Sequence, residues 1–272
     1  MRDPLEGVAA DGTIVTGARR DRVPPPFEPA VDDVARRLGG LGPDVSVYLY
    51  GSVATGQAEV GSSDLDVVTI GIPAGDARRL GRELSQTWRD LCRGVEIAPS
   101  TDVSRSDPDA AGEAPGPPDR DRRYGDAVFL RHYCVHVAGP HPAAALPAFP
   151  ADARAARGFN GDIAEHLQRW RETLAASDAR STAVVARRAA RKTLLAAAGL
   201  VSVHDRTWTT DRVLAAQRWG EVDPACAPGL RTLLAWSSTT PEPGTGELRT
   251  VLDGPVRRVV DAFAVAVGLW ES

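Results

Sequence analysis

The sequence lacks any segment that resembles a signal peptide or a membrane span. Its first twenty residues, MRDPLEGVAADGTIVTGARR, contain no apolar run of signal-peptide length, and no long uncharged apolar stretch follows. We therefore expect a soluble, cytoplasmic protein. Cysteine is also scarce. The three cysteines, Cys92, Cys134 and Cys226, are odd in number and far apart, which argues against a disulfide framework and against a zinc site with paired cysteines.

Positive charge is limited as well. The formal net charge is −4, which argues against a protein that coats nucleic acid through bulk electrostatics and favours a small or local partner. Lysine is almost absent, since Lys192 is the single lysine among 32 basic residues, a bias typical of GC-rich coding sequences. The hydrophobic fraction of 43% over 272 residues is enough for one large core or two moderate ones.

The N-terminal part of the chain alternates between helical and strand patterns. Apolar spacing and Gly or Pro punctuation predict helix, strand, strand, helix and strand, over residues 27–40, 45–52, 64–72, 75–94 and 94–99. Residues 99–123 have almost no apolar content, and we expect a flexible loop there. The segment 127–140 is typical of a helix or a strand pair that returns to the same domain.

From Ala151 onward the pattern is helical. Five segments with helical spacing are bounded by Gly, Pro, Ser or Thr, over residues 162–177, 181–199, 209–220, 226–238 and 255–270. The predicted fold class is therefore α+β. An N-terminal domain, residues 1–148, has a small mixed sheet with helices, and a C-terminal domain, residues 149–272, is all helical.

Two aspartates one residue apart lie inside an apolar run, SSDLDVVTI. Successive strand side chains point to opposite faces, so Asp64 and Asp66 are predicted to project side by side while Leu65 and Val67 face the core. Two close carboxylates in a partly apolar site need a counter-charge. Magnesium is the expected cation, because it binds one or two carboxylates together with substrate phosphates.

A Gly-Ser pair, Gly51 and Ser52, follows the preceding strand where the chain turns. Free backbone amides and the Ser52 hydroxyl would form an anion site, and Gly51 would let a phosphate approach the main chain closely. Gly-Ser turns after strands are often only structural. A phosphate cradle beside a carboxylate pair, however, is what a nucleoside triphosphate requires.

The two motifs together, GSVATG and SDLDVV, resemble the GS and D-x-D signature of the DNA polymerase β-like nucleotidyltransferases. The helical C-terminal part resembles the aminoglycoside branch of that superfamily, the streptomycin and spectinomycin adenylyltransferases. The strong match covers Leu49 to Ile70. The resemblance implies that Asp64 and Asp66 hold magnesium and that Gly51, Ser52 and Ser63 contact the nucleotide.

The resemblance also implies a third carboxylate on a later strand, and GVEIAP offers Glu96 there. Glu96 would ligate metal or take the acceptor's proton. In-line displacement at an α-phosphate needs charge neutralisation on the attacking and leaving oxygens, which two metal ions on shared carboxylates supply. A general base then deprotonates the attacking hydroxyl. A single strand glutamate can equally be an ordinary polar-face residue.

Three basic residues, Arg188, Arg191 and Lys192, share one face of a predicted helix because they are spaced i, i+3 and i+4. One hypothesis is that this face looks across an interdomain cleft and neutralises the triphosphate. The resemblance favours Arg191 for this role. The alternative is an ordinary solvated basic face. Where the family branch has a further lysine this chain has TWTTDR, and Arg212 is a candidate substitute.

Other polar and aromatic residues are weaker candidates. Tryptophans of the helical domain could line an acceptor pocket, and acids there could bind a cationic acceptor, although core and solvated roles are more usual. These residues are Trp170, Trp208, Trp219, Asp162, Glu165 and Asp211. A histidine cluster, His132, His136 and His141, invites a metal hypothesis, but its spacing favours structural roles.

The sequence therefore predicts a magnesium-dependent nucleotidyltransferase that uses a nucleoside triphosphate, ATP first, and two Mg²⁺ ions. It would move a nucleotide monophosphate to a hydroxyl of a small acceptor, an aminoglycoside-type antibiotic first, with no membrane or bulk nucleic-acid partner. An alternative is a regulatory or antitoxin-like protein of the same fold that binds or modifies a macromolecular partner. A third hypothesis, a non-catalytic nucleotide binder, is disfavoured because all three acids are present.

Overall fold

The structure, a computed structural model, describes residues 3–100, 117–176, 179–238 and 241–270. Its fold class is α+β, as the sequence predicts. The chain divides into two compact units. Unit 1 comprises the described parts of Met1–Glu6, Ile14–Glu113 and Asp126–Phe149, and unit 2 comprises those of Gly7–Thr13, Ala114–Gly125 and Pro150–Ser272. Each unit thus draws on more than one stretch of the chain.

Unit 1 contains a small sheet with helices. Its elements are β2 (Ile14–Val15), α1 (Glu28–Gly39), β3 (Ser46–Tyr50), α2 (Gly51–Ala54), β4 (Leu65–Ile70), α3 (Ala74–Thr87), β5 (Val95–Ser100) and β6 (Val135–Ala138), with 3-10 turns at Arg20–Arg22, Pro25–Phe27 and Pro142–Ala145. The helix α4 (Pro117–His132) begins in a segment of unit 2 and ends in unit 1.

The sheet has the strand order β5-β4-β3-β6. β3 is antiparallel to both β4 and β6, whereas β4 and β5 are parallel. In this register Asp66 of β4 is the direct partner of Tyr50 on β3 and of Glu96 on β5. The pairing therefore places three polar side chains in one row across neighbouring strands.

The sheet of unit 1 is buried on both faces. On one face, fully buried Leu49 and Val67 pack in a core with α1 and α3. On the other face, Tyr48 and Val68 pack with Leu130 from the end of α4. Burying an aliphatic side chain of this size stabilises the fold by about 1.5–3 kcal/mol. The near-continuous apolar runs of β3 and β4 follow from this burial on both sides.

Three N-terminal predictions need correction. Helix α3 ends at Thr87 rather than at Gly94, because the chain turns at Trp88, whose indole Nε1 donates to Asp33 at 3.2 Å. The predicted loop 99–123 is too long: 99–100 belong to β5, 117–123 belong to α4, and residues 101–116 lie outside the described residues. The segment 127–140 completes α4 and then forms β6.

Unit 2 is helical apart from β1 (Gly7–Val8) in its described residues. Its helices are α5 (Ala153–Asn160), α6 (Ile163–Ala176), α7 (Ala179–Asp205), α8 (Arg212–Val222), α9 (Ala227–Ser238), α10 (Thr245–Val251) and α11 (Arg257–Ala266), with a π-helical turn at Leu252–Val256. α7 is central and packs against α5, α6, α8, α9 and α11. Within the described ranges, no helix is long and apolar enough to cross a membrane.

The longest helix, α7, runs past Gly199, where the sequence predicts its end. A Cβ at Gly199 would lie 3.2 Å from the Phe263 ring and 3.4 Å from Ala156, so the glycine serves close packing rather than helix termination. Two helices, α5 and α10, were not predicted. α5 has a recognisable N-cap, since the Asp152 carboxylate accepts a hydrogen bond from the Ala155 amide at 2.8 Å.

Candidate active site

The candidate site lies on the row formed by Tyr50, Asp66 and Glu96. Each residue belongs to a different strand, and backbone pairing fixes their order. Leu65 and Val67, which flank Asp66, are fully buried. The predicted alternation on β4 is therefore confirmed. Asp64 immediately precedes the strand rather than lying in it, because β4 begins at Leu65.

The Asp66 carboxylate lies against the backbone of Gly51. Gly51 has φ +72°, a left-handed conformation, and a Cβ at this position would collide with the Asp66 Oδ2 atom and lie 3.3 Å from its Cγ. Burial first, and then the charges of Asp64 and Glu96, raise the pKa of Asp66 to about 6 against an opposing effect of Arg93. The site thus holds a carboxylate whose negative charge is poorly compensated.

Asp64 has a counter-ion, unlike Asp66. Arg93, in the turn before β5, donates to the Asp64 carboxylate through Nε at 3.0 Å and through a terminal nitrogen. The Arg93 side chain is 60% exposed and that of Asp64 is 18% exposed. The pKa of Arg93 is raised by this hydrogen bond and by the charge of Asp64. The ion pair is therefore close to solvent on the arginine side.

Glu96 is exposed on β5, while Val95 is buried and Ile97 is half-buried, as the alternation predicts. Tyr50 lies at the other end of the row. Its pKa is raised, first by burial and then by the charges of Asp66 and Glu96. The Tyr50 ring also contacts Phe129 edge-on, with centroids 5.2 Å apart. The phenol is consequently neutral and held next to the acids.

The Gly-Ser turn forms α2, a single helical turn that begins at Gly51 directly after β3. Ser52 lies in this turn, and its carbonyl accepts from the Gln57 amide at 2.8 Å. Ser63 is 6% exposed, and its hydroxyl oxygen accepts from the Glu59 amide at 2.9 Å. Ser63 therefore braces the connection between α2 and β4, whereas Gly51 and Ser52 lie beside Asp66.

The three predicted basic residues lie in unit 2 on α7. Arg188, Arg191 and Lys192 line a groove of about 790 Å³ between α6 and α7, together with His166 and Trp170. Arg188 and Arg191 are exposed, and the Arg191 Nε donates to the Ser237 carbonyl at 3.4 Å. The groove is therefore basic along its α7 side.

Lys192 differs from the two arginines because its ammonium group is held within unit 2. Its Nζ lies 2.7 Å from Asp162 Oδ1 and donates to the Phe159 carbonyl at 2.9 Å. Burial alone would raise the pKa of Asp162, but His166 and Lys192 hold it at about 2. Lys192 thus neutralises a buried acid.

We expect Lys192→Met to lower the free energy of unfolding by about 2 kcal/mol, because it removes a charged hydrogen-bonding partner from the partly buried Asp162 carboxylate and leaves His166 as the remaining one. Chemical denaturation at pH 7 measures this. Arg188→Gln is the control. Arg188 is exposed and has no ion pair among the described residues, so its replacement should change stability by less than about 0.5 kcal/mol. Unchanged stability of Lys192→Met with weakened nucleotide binding would instead make Lys192 a phosphate ligand.

The weaker candidates mostly have structural surroundings. Trp170, Trp208 and Trp219 are all buried. Asp211 caps α8 by accepting from the Leu214 amide at 2.8 Å, whereas Glu165 is exposed. Burial lowers the pKa of His132 to about 4. In the described ranges, no group of three or more His, Cys, Asp or Glu side chains is arranged to hold a metal ion. The structure therefore adds no support to a metal site at the three histidines.

Arg93 and Tyr50 were not predicted as site residues. Tyr50 immediately precedes Gly51, and Arg93 precedes β5 by two residues. Both positions become informative only when the strand register is known, because the register sets Tyr50 opposite Asp66 and the β5 turn beside Asp64.

Sequence comparison identifies the region that contains these residues. The nucleotidyltransferase domain family matches residues 31–95, which include Gly51, Ser52, Asp64 and Asp66. The predicted superfamily is thereby confirmed on a segment that runs from α1 to the start of β5. No curated protein matches the chain's sequence.

The fold around the nucleotidyltransferase domain also has a known counterpart. A spectinomycin adenyltransferase from Enterococcus faecialis, solved with ATP and spectinomycin, matches the structure with a TM-score of 0.52 at 13% sequence identity. The match covers 86% of this chain and 97% of that chain. At this identity the likeness shows a shared fold, and it extends to the helical region that the domain family does not cover.

The acids of the row and Asp64 fit a divalent cation in their donor chemistry. Asp64, Asp66 and Glu96 offer hard oxygen donors, and the raised pKa of Asp66 reflects burial and then neighbouring negative charge, which a cation would compensate. The described residues nevertheless hold no cluster of three ligands in place, and Asp64 is engaged by Arg93. A cation must therefore compete with Arg93 for Asp64.

We expect Arg93→Gln to tighten metal binding by about two- to fivefold, since an exposed ion pair is worth up to about 1 kcal/mol. Titration with Mn²⁺, followed by the electron paramagnetic resonance signal of the free ion, measures the dissociation constant without turnover. Arg89→Gln is the matched control, because Arg89 is exposed and, within the described ranges, its one ion pair is with Asp90 at 3.8 Å. Equal or weaker Mn²⁺ binding by Arg93→Gln would contradict the competition.

Proposed function

We propose that the protein is a magnesium-dependent nucleotidyltransferase that moves AMP from ATP to a hydroxyl of a small acceptor and releases pyrophosphate. An aminoglycoside-type antibiotic is the first choice of acceptor. The observation that carries the proposal is the placement of Asp66 beside the left-handed Gly51, in register with Glu96 and two residues from Asp64.

The acid row supports the assignment because its charge needs a partner. Asp64, Asp66 and Glu96 together carry up to three negative charges, and Arg93 supplies one positive charge among the described residues around them. Magnesium bound to these carboxylates would neutralise charge on the phosphate oxygens during displacement. A carboxylate kept in such a site at a cost to stability is typical of a binding or catalytic centre.

The chain's own residues would then perform three tasks. Gly51 lets the Asp66 carboxylate and a phosphate approach the same stretch of backbone, and Ser52 offers a hydroxyl beside it. Glu96 is exposed, so its carboxylate is accessible to an incoming acceptor and can take the proton of its hydroxyl. Tyr50 is neutral and packs edge-on against Phe129, and it limits the access of solvent to the buried end of the row.

Arg188 and Arg191 are proposed as nucleotide ligands of unit 2. Both are exposed at a basic groove whose volume of about 790 Å³ is large enough for a nucleotide-sized ligand. Lys192 contributes to the groove mainly by fixing Asp162, for the reasons given above. Two magnesium ions and ATP as the triphosphate belong to the proposal and follow from the family resemblance.

The aminoglycoside preference rests on the fold shared with the Enterococcus enzyme, which was solved with ATP and spectinomycin. A cationic acceptor is also compatible with the negative charge at Asp64, Asp66 and Glu96. The alternative, a regulatory or antitoxin-like protein that modifies a macromolecule, retains the same acids and the same chemistry. The length of the helical unit and the coverage of 97% of the Enterococcus chain favour the small acceptor.

Mass spectrometry tests the proposed function. Candidate aminoglycosides are incubated with the protein, Mg²⁺ and each of the four nucleoside triphosphates in turn. We expect a mass gain of one adenosine monophosphate on the acceptor with ATP and equimolar pyrophosphate. A gain on a co-purified protein, with none on any small hydroxylated amine, would favour the macromolecular alternative. No nucleotide transfer to either class would contradict the proposal.

A further inference from the structure

Unit 1 contains a cavity that is separate from the groove of unit 2, and the proposed function does not use it. It has a volume of about 600 Å³ and lies between segment 18–21 on one side and the end of α4, strand β6 and the turn after β6 on the other. Its chemically active side chains are Arg19, Arg20, Asp21, Arg131, His136 and His141. None of the proposed metal, catalytic or nucleotide residues lines it.

A buried hydrogen-bond chain orients His141 in this cavity. The Ala143 amide donates to the Tyr48 hydroxyl oxygen at 3.4 Å, and the same oxygen lies 3.2 Å from His141 Nδ1. The Tyr48 hydroxyl can donate to Nδ1 or accept from it, so this contact holds the ring by Nδ1 in either tautomer. His141 Nε2 makes no hydrogen bond within the described part of the chain and is available to a ligand.

His136 is fixed in a similar way. Its Nε2 lies 2.9 Å from the Gly139 carbonyl and 3.1 Å from the Pro140 carbonyl, and since both partners are acceptors, Nε2 must be the donor. The His136 and His141 rings stack with centroids 4.3 Å apart and planes at 14°. His136 Nδ1 makes no hydrogen bond within the described part of the chain.

The cavity also has an excess of positive charge. Arg19 is paired with Asp21 at 2.6 Å and Arg20 with Glu28 at 2.6 Å, which neutralises both arginines and the one lining carboxylate. Arg131 is exposed and has no ion pair within the described part of the chain. The pKa of His141 is lowered, first by burial and then by the charges of His136 and Arg131.

We propose that this cavity is an oxyanion site that binds a phosphate group through Arg131, His136 and His141. The site is separate from the acid row and goes beyond the proposed transfer reaction. Arg131 supplies a guanidinium with no ion pair among the described residues, and two stacked, nearly parallel imidazoles do not converge on a metal ion. A phosphate, by contrast, accepts hydrogen bonds from a guanidinium and from imidazole N–H groups at several oxygens.

Inorganic phosphate is the probe, titrated at constant pH and constant ionic strength with chloride as the balancing anion. Long-range ¹H–¹⁵N correlation spectra resolve the ring nitrogens, since the chain has 5 histidines. We expect saturable shifts at His136 and His141 and none at His204 in unit 2. Arg131→Gln should weaken phosphate binding about tenfold, the effect of losing one charged hydrogen-bonding partner.

Arg82→Gln is the matched control, because Arg82 is an exposed arginine of unit 1 with no ion pair in the described residues. It should bind phosphate like the unmodified chain. His141→Gln provides a second variant that keeps a donor amide but removes the imidazole, and it should also bind more weakly. Non-saturating shifts, or equal binding by Arg131→Gln and Arg82→Gln, would overturn the site whether or not the protein transfers nucleotides.

Discussion

Asp66→Asn is expected to abolish nucleotidyl transfer, with a fall in kcat of about a thousandfold or more, while unit 1 stays folded. The asparagine keeps the size of the side chain beside Gly51 but removes the charge that a divalent cation needs. Transfer is measured by the rate of pyrophosphate release with ATP and acceptor. A variant that turns over at the rate of the unmodified chain would contradict the role of Asp66.

The same substitution should stabilise the metal-free protein at neutral pH. The pKa of Asp66 is raised from 3.8 to about 6, so the ionised carboxylate destabilises the folded state above pH 6, and this effect vanishes as the pH falls to about 4. We expect Asp66→Asn to gain up to about 3 kcal/mol at pH 7 and nothing near pH 4. Thermal melts in chelator at both pH values measure the difference.

Asp64→Asn is the informative control for this stability effect. Asp64 is already neutralised by Arg93, so its replacement breaks an ion pair instead of relieving an uncompensated charge. Asp64→Asn should lose activity like Asp66→Asn but show no gain in stability at pH 7. Equal stabilisation by both variants would show that the two acids have the same surroundings, contrary to the structure.

Gly51→Ala is expected to have the second-largest effect, a strong loss of activity together with a loss of stability of about 2–3 kcal/mol. An alanine must adopt φ +72°, and its Cβ would collide with the Asp66 carboxylate. Relief of the collision requires Asp66 to move away from Glu96 and Asp64. Steady-state kinetics and chemical denaturation measure the two losses.

Gly61→Ala measures the stability cost of a left-handed alanine alone, without a collision like that between a Cβ at Gly51 and the Asp66 carboxylate. Gly61 has a similar left-handed φ of +79°, but nothing lies within 4 Å of a Cβ there. This control should lose about 1–2 kcal/mol of stability and keep its kcat. If Gly51→Ala behaves like Gly61→Ala, the contact between Gly51 and Asp66 has no role in the reaction.

The core of the site could be predicted from the sequence because it depends on local patterns. The alternation of Asp66 with buried Leu65 and Val67, and of Glu96 with Val95, follows from strand periodicity. The Arg93 contact with Asp64 could not be predicted. It depends on the parallel pairing of β4 with β5, and a single sequence does not specify which strands pair.

In unit 2 also, the sequence predicts local helical patterns but not the contacts between helices. The apolar spacing of α6 to α9 and α11 predicts those helices, whereas α5 is only 8 residues long and its buried face includes the small residues Ala155 and Ala156 instead of large apolar ones. Gly199 follows a run of helical spacing, as a glycine that ends a helix does, but it lies inside α7. Its lack of a side chain leaves room for the Phe263 ring. Likewise, the sequence leaves Lys192 open between a phosphate ligand and part of a solvated basic face, and only the folded arrangement shows its ion pair with Asp162.

A crystal structure with a non-hydrolysable ATP analogue and Mg²⁺ tests the central claim most directly. We predict metal density at the carboxylates of Asp64 and Asp66, the triphosphate next to Gly51 and Ser52, and Arg93 released from Asp64. Asp64 still held by Arg93, with no metal at the acid row and the nucleotide bound elsewhere or absent, would contradict the account.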